Sequence, residues 1–169
     1  MAIASRRESA TVEDPANRRH PEPETRGAIG ASARIWVAGA TGYIGRATVR
    51  ELVARGHAVT ALVRPGAPAR ADGLTRAALE GCRTIEVELA DPAATAAALA
   101  DEPVDAVFSC IASRTGVAED AWRVDHGANV ALLEAAQRAG ARQFVLLSAI
   151  CVQRPRLAFQ HAKLAFERR

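Results

Sequence analysis

Three features of this sequence predict an α/β protein with a doubly wound parallel sheet. Short, continuously apolar runs alternate with helical segments. A turn spaced by glycines joins the first run to the first helix. Glycines close two of the helices. In order, Ile35–Ala38 is the first apolar run and reads as a strand. Tyr43–Arg55 carries Ile44, Ala47, Val49, Leu52 and Val53 at helical spacing and stops at Gly56. Ala58–Val63 is the second strand and ends at Arg64-Pro65-Gly66. Thr84–Leu89 is the third. A helix over Pro92–Ala100 follows it, with Asp91 at the cap and Pro92 in the first turn. Val104–Ser109 is the fourth strand, Ala118–Ala139 a long helix ended by Gly140, Gln143–Leu147 the fifth strand and Leu157–Arg169 a final helix. Strands that are apolar along their whole length are buried on both faces, and right-handed crossovers then place helices on each side of the sheet.

The 169 residues suffice for one domain with a sizeable core. Residues 1 to about 32 are rich in Arg, Glu, Pro, Ala and Ser, have no apolar period, and contain His20-Pro21-Glu22-Pro23-Glu24. They read as a disordered leader, with residues 33–169 as the folded domain. Arg6 and Arg7 start the leader, but no apolar run follows them as a secretory signal requires. Glu8, Glu13, Asp14, Glu22 and Glu24 argue against an organelle transit peptide. No stretch approaches the ~18 apolar residues that span a bilayer. A net charge of +3, scattered arginines and 4% aromatic residues give a nucleic-acid partner little support. Cys82, Cys110 and Cys151 lack metal-ligand spacing and read as small buried hydrophobes in a reducing compartment, so the expected location is cytoplasmic.

The turn after the first strand is Gly39-Ala40-Thr41-Gly42-Tyr43-Ile44-Gly45. One glycine permits the sharp exit from the strand, the next lets backbone approach a pyrophosphate, and the third lets helix and strand pack closely. The N–H groups and positive dipole end of the helix face the phosphates. Because this motif follows a strand, opens a helix and begins an alternating pattern, it predicts a Rossmann NAD(P)-binding domain. Gly39, Thr41, Gly42, Tyr43, Ile44 and Gly45 are its cofactor-binding segment. The second strand ends without the Asp or Glu that binds a ribose 2′-hydroxyl in NAD enzymes. It carries Arg64, whose guanidinium can take a 2′-phosphate through two hydrogen bonds, so NADPH is the expected cofactor. A solvated loop arginine is the plainer reading of Arg64, and Arg70 is a second candidate for the phosphate role. Asp91 reads equally as an adenine contact and as a helix cap. The small residues at the end of the fourth strand, Cys110, Ile111 and Ala112, allow backbone to lie against the nicotinamide-side ribose.

Lys163 is the only lysine among 22 basic residues. It stands in the last helix, four positions after Phe159, and Ser148 ends the fifth strand.

The segments Gly39 to Gly45, Cys110-Ile111-Ala112-Ser113-Arg114-Thr115-Gly116, Phe144 to Gln153 (F-V-L-L-S-A-I-C-V-Q) and Phe159 to Glu167 resemble the divinyl chlorophyllide 8-vinyl-reductases. These are atypical members of the extended short-chain dehydrogenase/reductase superfamily. The glycine motif marks only the superfamily; the S-R-T-G and S-A-I-C-V-Q segments carry the family. The resemblance implies an NADPH-dependent oxidoreductase of a carbon–carbon double bond. Its reaction would reduce the 8-vinyl group of divinyl (proto)chlorophyllide to ethyl in (bacterio)chlorophyll biosynthesis, in the cytoplasm or at the surface of a photosynthetic membrane. It also implies that Lys163 hydrogen-bonds the nicotinamide ribose and that Ser148 is an active-site serine, against the plainer readings of a surface lysine and a helix-entry hydroxyl. Ordinary members of the superfamily donate a proton from a Tyr at the position of Phe159. A phenyl ring donates none, which disfavours carbonyl reduction and suits an alkene conjugated to a macrocycle. His161 reads as solvated, and Asn129 as either a support of the site or helix surface. Glu88 stands where an Asp is more usual in the family, and the leader has no counterpart there.

The family continues after this helix with at least one more strand and a substrate-binding region. The chain is therefore expected to be a C-terminally incomplete version that binds dinucleotide without turning over substrate alone. A non-catalytic NADP-binding sensor is the alternative from another class, and a nucleotide-sugar epimerase-like enzyme is a further one that Phe159 disfavours.

Overall fold

The computed structural model describes residues 32–169, so the expected leader lies outside the described residues apart from Ser32. Strands β1 (Arg34–Ala38), β2 (Ala58–Val63), β3 (Arg83–Glu86), β4 (Ala106–Ser109) and β5 (Gln143–Leu146) form one sheet in the order β3-β2-β1-β4-β5. Every pairing is parallel. The order reverses between β1 and β4, which opens a crevice at the C-terminal edge of the sheet between their following loops.

The central strand explains the two-sided core. Ile35 and Val37 of β1 face one side, where they pack with Val59, Ala61 and Val63 and with Val49 and Leu52 of helix α1 (Tyr43–Ala54). Trp36 and Ala38 face the other side, in a cluster with Leu62, Val107, Leu99 and Leu132. Burial of apolar surface at about 25 cal/mol per Å² is the main stabilising contribution to both layers. At the N-terminal edge of the sheet, Arg34 clasps Asp105. The backbone N–H and guanidinium of Arg34 donate to the Asp105 carboxylate at 2.9, 3.1 and 3.0 Å, which fixes where β1 and β4 begin relative to each other. The hydrogen bonds from Arg34 hold the Asp105 carboxyl at about 2, below its ordinary value.

Three expectations are corrected. First, helix α2 (Gly73–Leu79) lies between β2 and β3, where sequence reading placed no element. Asp72 caps it by accepting from the Thr75 N–H at 2.7 Å. Second, the strand expected over Thr84–Leu89 is β3, which is shorter and earlier. Val87 N–H still donates to Val63 O, but Asp91 N–H then turns back onto Glu88 O, and helix α3 (Pro92–Ala98) begins. Third, the helix expected over Ala118–Ala139 is not uniformly α. It runs as α4 (Ala118–Ala121), a π segment (Trp122–Ala128) and α5 (Asn129–Arg138). A π turn is wider than an α turn and has poorer packing of its own. Here it carries Asp125 and Asn129 to full burial, where each finds polar partners beneath the sheet. Helix α6 (Ala158–Glu167) packs along the π segment and α4, and its Phe166 meets Phe144 of β5 with ring centroids 5.4 Å apart. Among the described residues, no helix is long and apolar enough to cross a membrane.

Candidate functional site

The crevice begins at the glycine turn. Gly39 has φ +75°, and a Cβ built on it would lie 2.6 Å from the Cys110 carbonyl oxygen, so the loops after β1 and β4 touch backbone to backbone. A Cβ on Gly45 would fall 2.1 Å from the Gly39 carbonyl oxygen, which is why helix α1 can start so close under its own strand. Gly42 is the N-cap of α1, and neither a side-chain cap nor an acidic residue occupies the first turn. The positive end of this helix therefore faces the crevice uncompensated by protein, as an anion site requires.

A cleft of about 520 Å³ opens there. The sequence-predicted residues Gly39, Thr41, Gly42, Tyr43, Ile44 and Gly45 form one wall; Arg64 stands at the end of β2; Cys110, Ile111 and Ala112 form the wall after β4. Arg114 and Arg123, which sequence reading did not single out, line it as well. Arg123 is held by Asp120 at 2.7 Å, and Asp120 also accepts from Thr115 Oγ1. The loop bearing Arg64 is braced from both sides: Gly66 N–H donates to Glu86 at 2.6 Å and the Arg70 guanidinium to the Pro65 carbonyl at 2.9 Å. Arg70 is thus committed to its own loop, whereas Arg64 faces the cleft. Asp91 does not line the cleft. Its carboxylate caps α3 through Oδ1, accepting from Ala93 and Ala94 N–H at 2.9 and 3.1 Å, so the capping reading is the one seen in the fold, and Glu88 lines the wall. Burial pushes the Cys110 thiol up, against smaller opposing effects of Thr48 and the Lys163 charge, so it sits in the wall as a neutral group.

A second cavity of about 220 Å³ adjoins the cleft and shares Ile111, Ala112 and Leu147 with it. It holds Ser148, Phe159, Lys163 and Asp125. Lys163 is 3% exposed, not a surface lysine; its Nζ donates to the Ile111 carbonyl at 2.9 Å and lies 3.3 Å from Asp125 Oδ1. Phe159 stands one turn earlier on the same helix and presents carbon to the cavity. Ser148 borders the cavity, but its hydroxyl donates to Glu167 of α6, so the serine ties β5 to that helix. Asn129 is buried, accepting from Ser109 Oγ and donating to the Asp125 carbonyl at 2.9 Å, which decides for support over helix surface. His161 is exposed, and His126 lies against Trp122.

Sequence reading missed Asp125 and Gln160. The Gln160 Oε1 accepts from Arg156 and Leu157 N–H, and its Nε2 donates to the Ile150 carbonyl at 2.9 Å, fastening the S-A-I-C-V-Q loop to α6. In that loop Cys151 has φ +62°, a left-handed conformation uncommon for a residue with a Cβ. A polar residue buried in a helix leaves one sequence signal, a break in the apolar stripe, and an extra residue in the π turn shifts that stripe.

A family model described as NAD(P)H-binding matches residues 39–167, from the glycine turn to the end of α6. The chain belongs to this NAD(P)H-binding family. It is 44% identical over 164 residues to the chloroplastic divinyl chlorophyllide a 8-vinyl-reductase of Zea mays, covering 94% of this chain and 40% of that protein. It is 47% identical over 138 residues to the protein of the same name from Oryza sativa subsp. indica, covering 79% of this chain and 34% of that protein. The resemblance drawn from the S-R-T-G and S-A-I-C-V-Q segments is therefore borne out, and the chain spans well under half the length of these relatives. Among solved structures, the Bordetella bronchiseptica enzyme WbmG in complex with NAD superposes with a TM-score of 0.68 at 18% identity. That match covers 85% of this chain and 50% of that one, and supports the doubly wound fold. The cofactor is a nicotinamide dinucleotide.

Proposed function

We propose that this chain forms the NADPH site of a reductase that converts the 8-vinyl group of divinyl (proto)chlorophyllide to ethyl. The observation that carries the reading is the pairing of a buried Lys163 with Phe159 in a cavity that opens onto the glycine-turn cleft. The identity with the maize and rice reductases supports it.

The residues present suit a dinucleotide. The close backbone approach at Gly39 and Gly45 and the uncapped start of α1 fit a pyrophosphate, with Thr41, Gly42, Tyr43 and Ile44 around it. Arg64 offers its guanidinium to the 2′-phosphate and favours NADPH over NADH. Cys110, Ile111 and Ala112 offer small surfaces to the nicotinamide-side ribose. When bound, the dihydronicotinamide supplies the hydride. Lys163 orients that end of the cofactor through its hydrogen-bonding reach and through the Ile111 carbonyl it holds. Phe159 has no proton to give a carbonyl oxygen. A vinyl group conjugated to a macrocycle needs no acid at that point, because the negative charge that develops on it is delocalised. Ser148 borders the same cavity and takes a lining role. A cytoplasmic protein, at or near a photosynthetic membrane, suits so apolar a substrate.

The test is an assay of the full-length protein with NADPH and divinyl chlorophyllide, read by chromatography of the pigment. Formation of the 8-ethyl product is expected. Tight NADPH binding with no ethyl product would reject the reductase in favour of a cofactor-binding sensor.

A further inference from the structure

Asp125, the acid of the buried ion pair in the smaller cavity, has no role in binding either ligand as read above, and its place in the fold assigns it one. Asp125 sits within the π segment and is 0% exposed. Its Oδ2 accepts from the Ser113 N–H at 3.2 Å. Its Oδ1 lies 3.3 Å from Lys163 Nζ, within ion-pair range, yet accepts no directed hydrogen bond among the described residues. Lys163 directs its own hydrogen bond at the Ile111 carbonyl. The two charges therefore grip the ends of a three-residue loop, Ile111 through Ser113, which lines the smaller cavity and whose Ile111 and Ala112 also line the cleft.

We propose that Asp125 is the positioning residue of this site: its carboxylate neutralises and aims the Lys163 ammonium and, through Ser113, sets the loop against which the nicotinamide end of the cofactor lies. Three features support this. A buried ammonium without a counter-charge is strongly disfavoured, and Asp125 is the acid in ion-pair range of this one. The π segment is the device that turns the carboxylate inward, and π turns recur at functional sites. Asn129 locks the same turn by donating to the Asp125 carbonyl while accepting from Ser109 at the end of β4. The π turn, β4 and its loop are thus tied to one another by hydrogen bonds.

The kinetic part of this proposal rests on the reductase reading; its spectroscopic part does not. Because the chain has a single lysine, protein labelled with ¹⁵N- and ¹³C-lysine gives one side-chain signal set. In the wild type, nuclear Overhauser contacts are expected between the Lys163 ε-methylene and the Asp125 β-methylene, with a slowly exchanging ammonium. Missing contacts would overturn the proposal even if no variant folds. In Asp125→Asn, the ammonium signal should be lost to exchange while amide signals of β1 to β3 stay in place. The Kd for NADPH should change less than about threefold, because the phosphate end is intact. With substrate, kcat should fall about 10²-fold, as expected when a group near the chemistry is misplaced by about 1 Å. An unchanged ammonium signal, or a kcat within about threefold of wild type, refutes the role of Asp125. A full-length wild type that forms no ethyl product sinks the reductase reading, and the lysine signal then decides this proposal alone.

Discussion

The two halves of the site are built from different material. The proposed phosphate end is backbone: Gly39, Gly42 and Gly45 matter because of what they lack, and the first turn of α1 offers N–H groups that belong to the chain itself. The proposed nicotinamide end is side chain: Lys163, Asp125 and Phe159, braced by Asn129 and Gln160, come from the π segment, α5 and α6 and meet only in the fold. Backbone recognition tolerates change in everything except the glycines. Side-chain recognition depends on each partner, and when the partners are buried charges, losing one strands the other.

That contrast is broken most sharply at Lys163. Lys163→Met leaves the Asp125 carboxylate buried without its counter-charge, so a loss of about 3–5 kcal/mol in unfolding free energy is expected from denaturant titration. Adding Asp125→Asn to Lys163→Met should recover a large part of the loss, since it removes the orphaned charge. If the double variant is no more stable than Lys163→Met, the two side chains are not coupled. At the backbone end, Gly45→Ala forces a methyl against the Gly39 carbonyl and should cost about 1–3 kcal/mol by overpacking. Its larger effect is on the start of α1, so calorimetry should show NADPH and NADH affinity falling together. Equal affinity in the Ala variant would mean that the turn can relax, and that the glycine is not what sets the phosphate site.

The same contrast accounts for what the sequence disclosed. The fold was legible because parallel strands buried on both faces leave unbroken apolar runs such as Ile35–Ala38, and because the glycine turn is a local motif with local causes. Lys163 stood out by composition, and Phe159 by its spacing from it. Asp125 did not stand out, because its importance comes from a residue 38 positions away and from a π turn that no local propensity announces. Asp91 was ambiguous for the opposite reason: an acid after the third strand suits both an adenine contact and a helix cap, and the structure shows the cap. Helix α2 was hidden by its length of 7 residues, and its Asp72 cap was the one sign of it.

Arg64 lies on the boundary between the two kinds of recognition, since it is a side chain proposed to serve the phosphate end. Arg64→Ala should weaken NADPH about tenfold or more, the worth of a hydrogen bond to a charged group, and leave NADH nearly unchanged. Competition between the two cofactors, followed by fluorescence, measures it. An unchanged preference removes Arg64 from the 2′-phosphate and points to Arg114 or Arg123 on the opposite wall.

The smallest effect belongs to the edge of the sheet farthest from the cofactor. The Arg34–Asp105 pair is solvent-accessible, so Asp105→Asn should cost about 1 kcal/mol or less and leave cofactor affinity untouched. Its pH dependence has a definite sign. The carboxyl titrates at about 2 when folded and near 3.9 when unfolded, so the unfolded chain binds the proton more readily. The stabilisation is complete above the unfolded value and disappears as pH falls through about 2. The gap between wild type and Asp105→Asn should therefore be constant at neutral pH and close in acid. A gap that persists below the folded value would mean that the variant disturbs the start of β4 rather than a charge. A change in NADPH affinity at any pH would show that the two edges of the sheet are coupled through β1 and β4, and that the division of the site into backbone and side-chain halves leaves out the sheet between them.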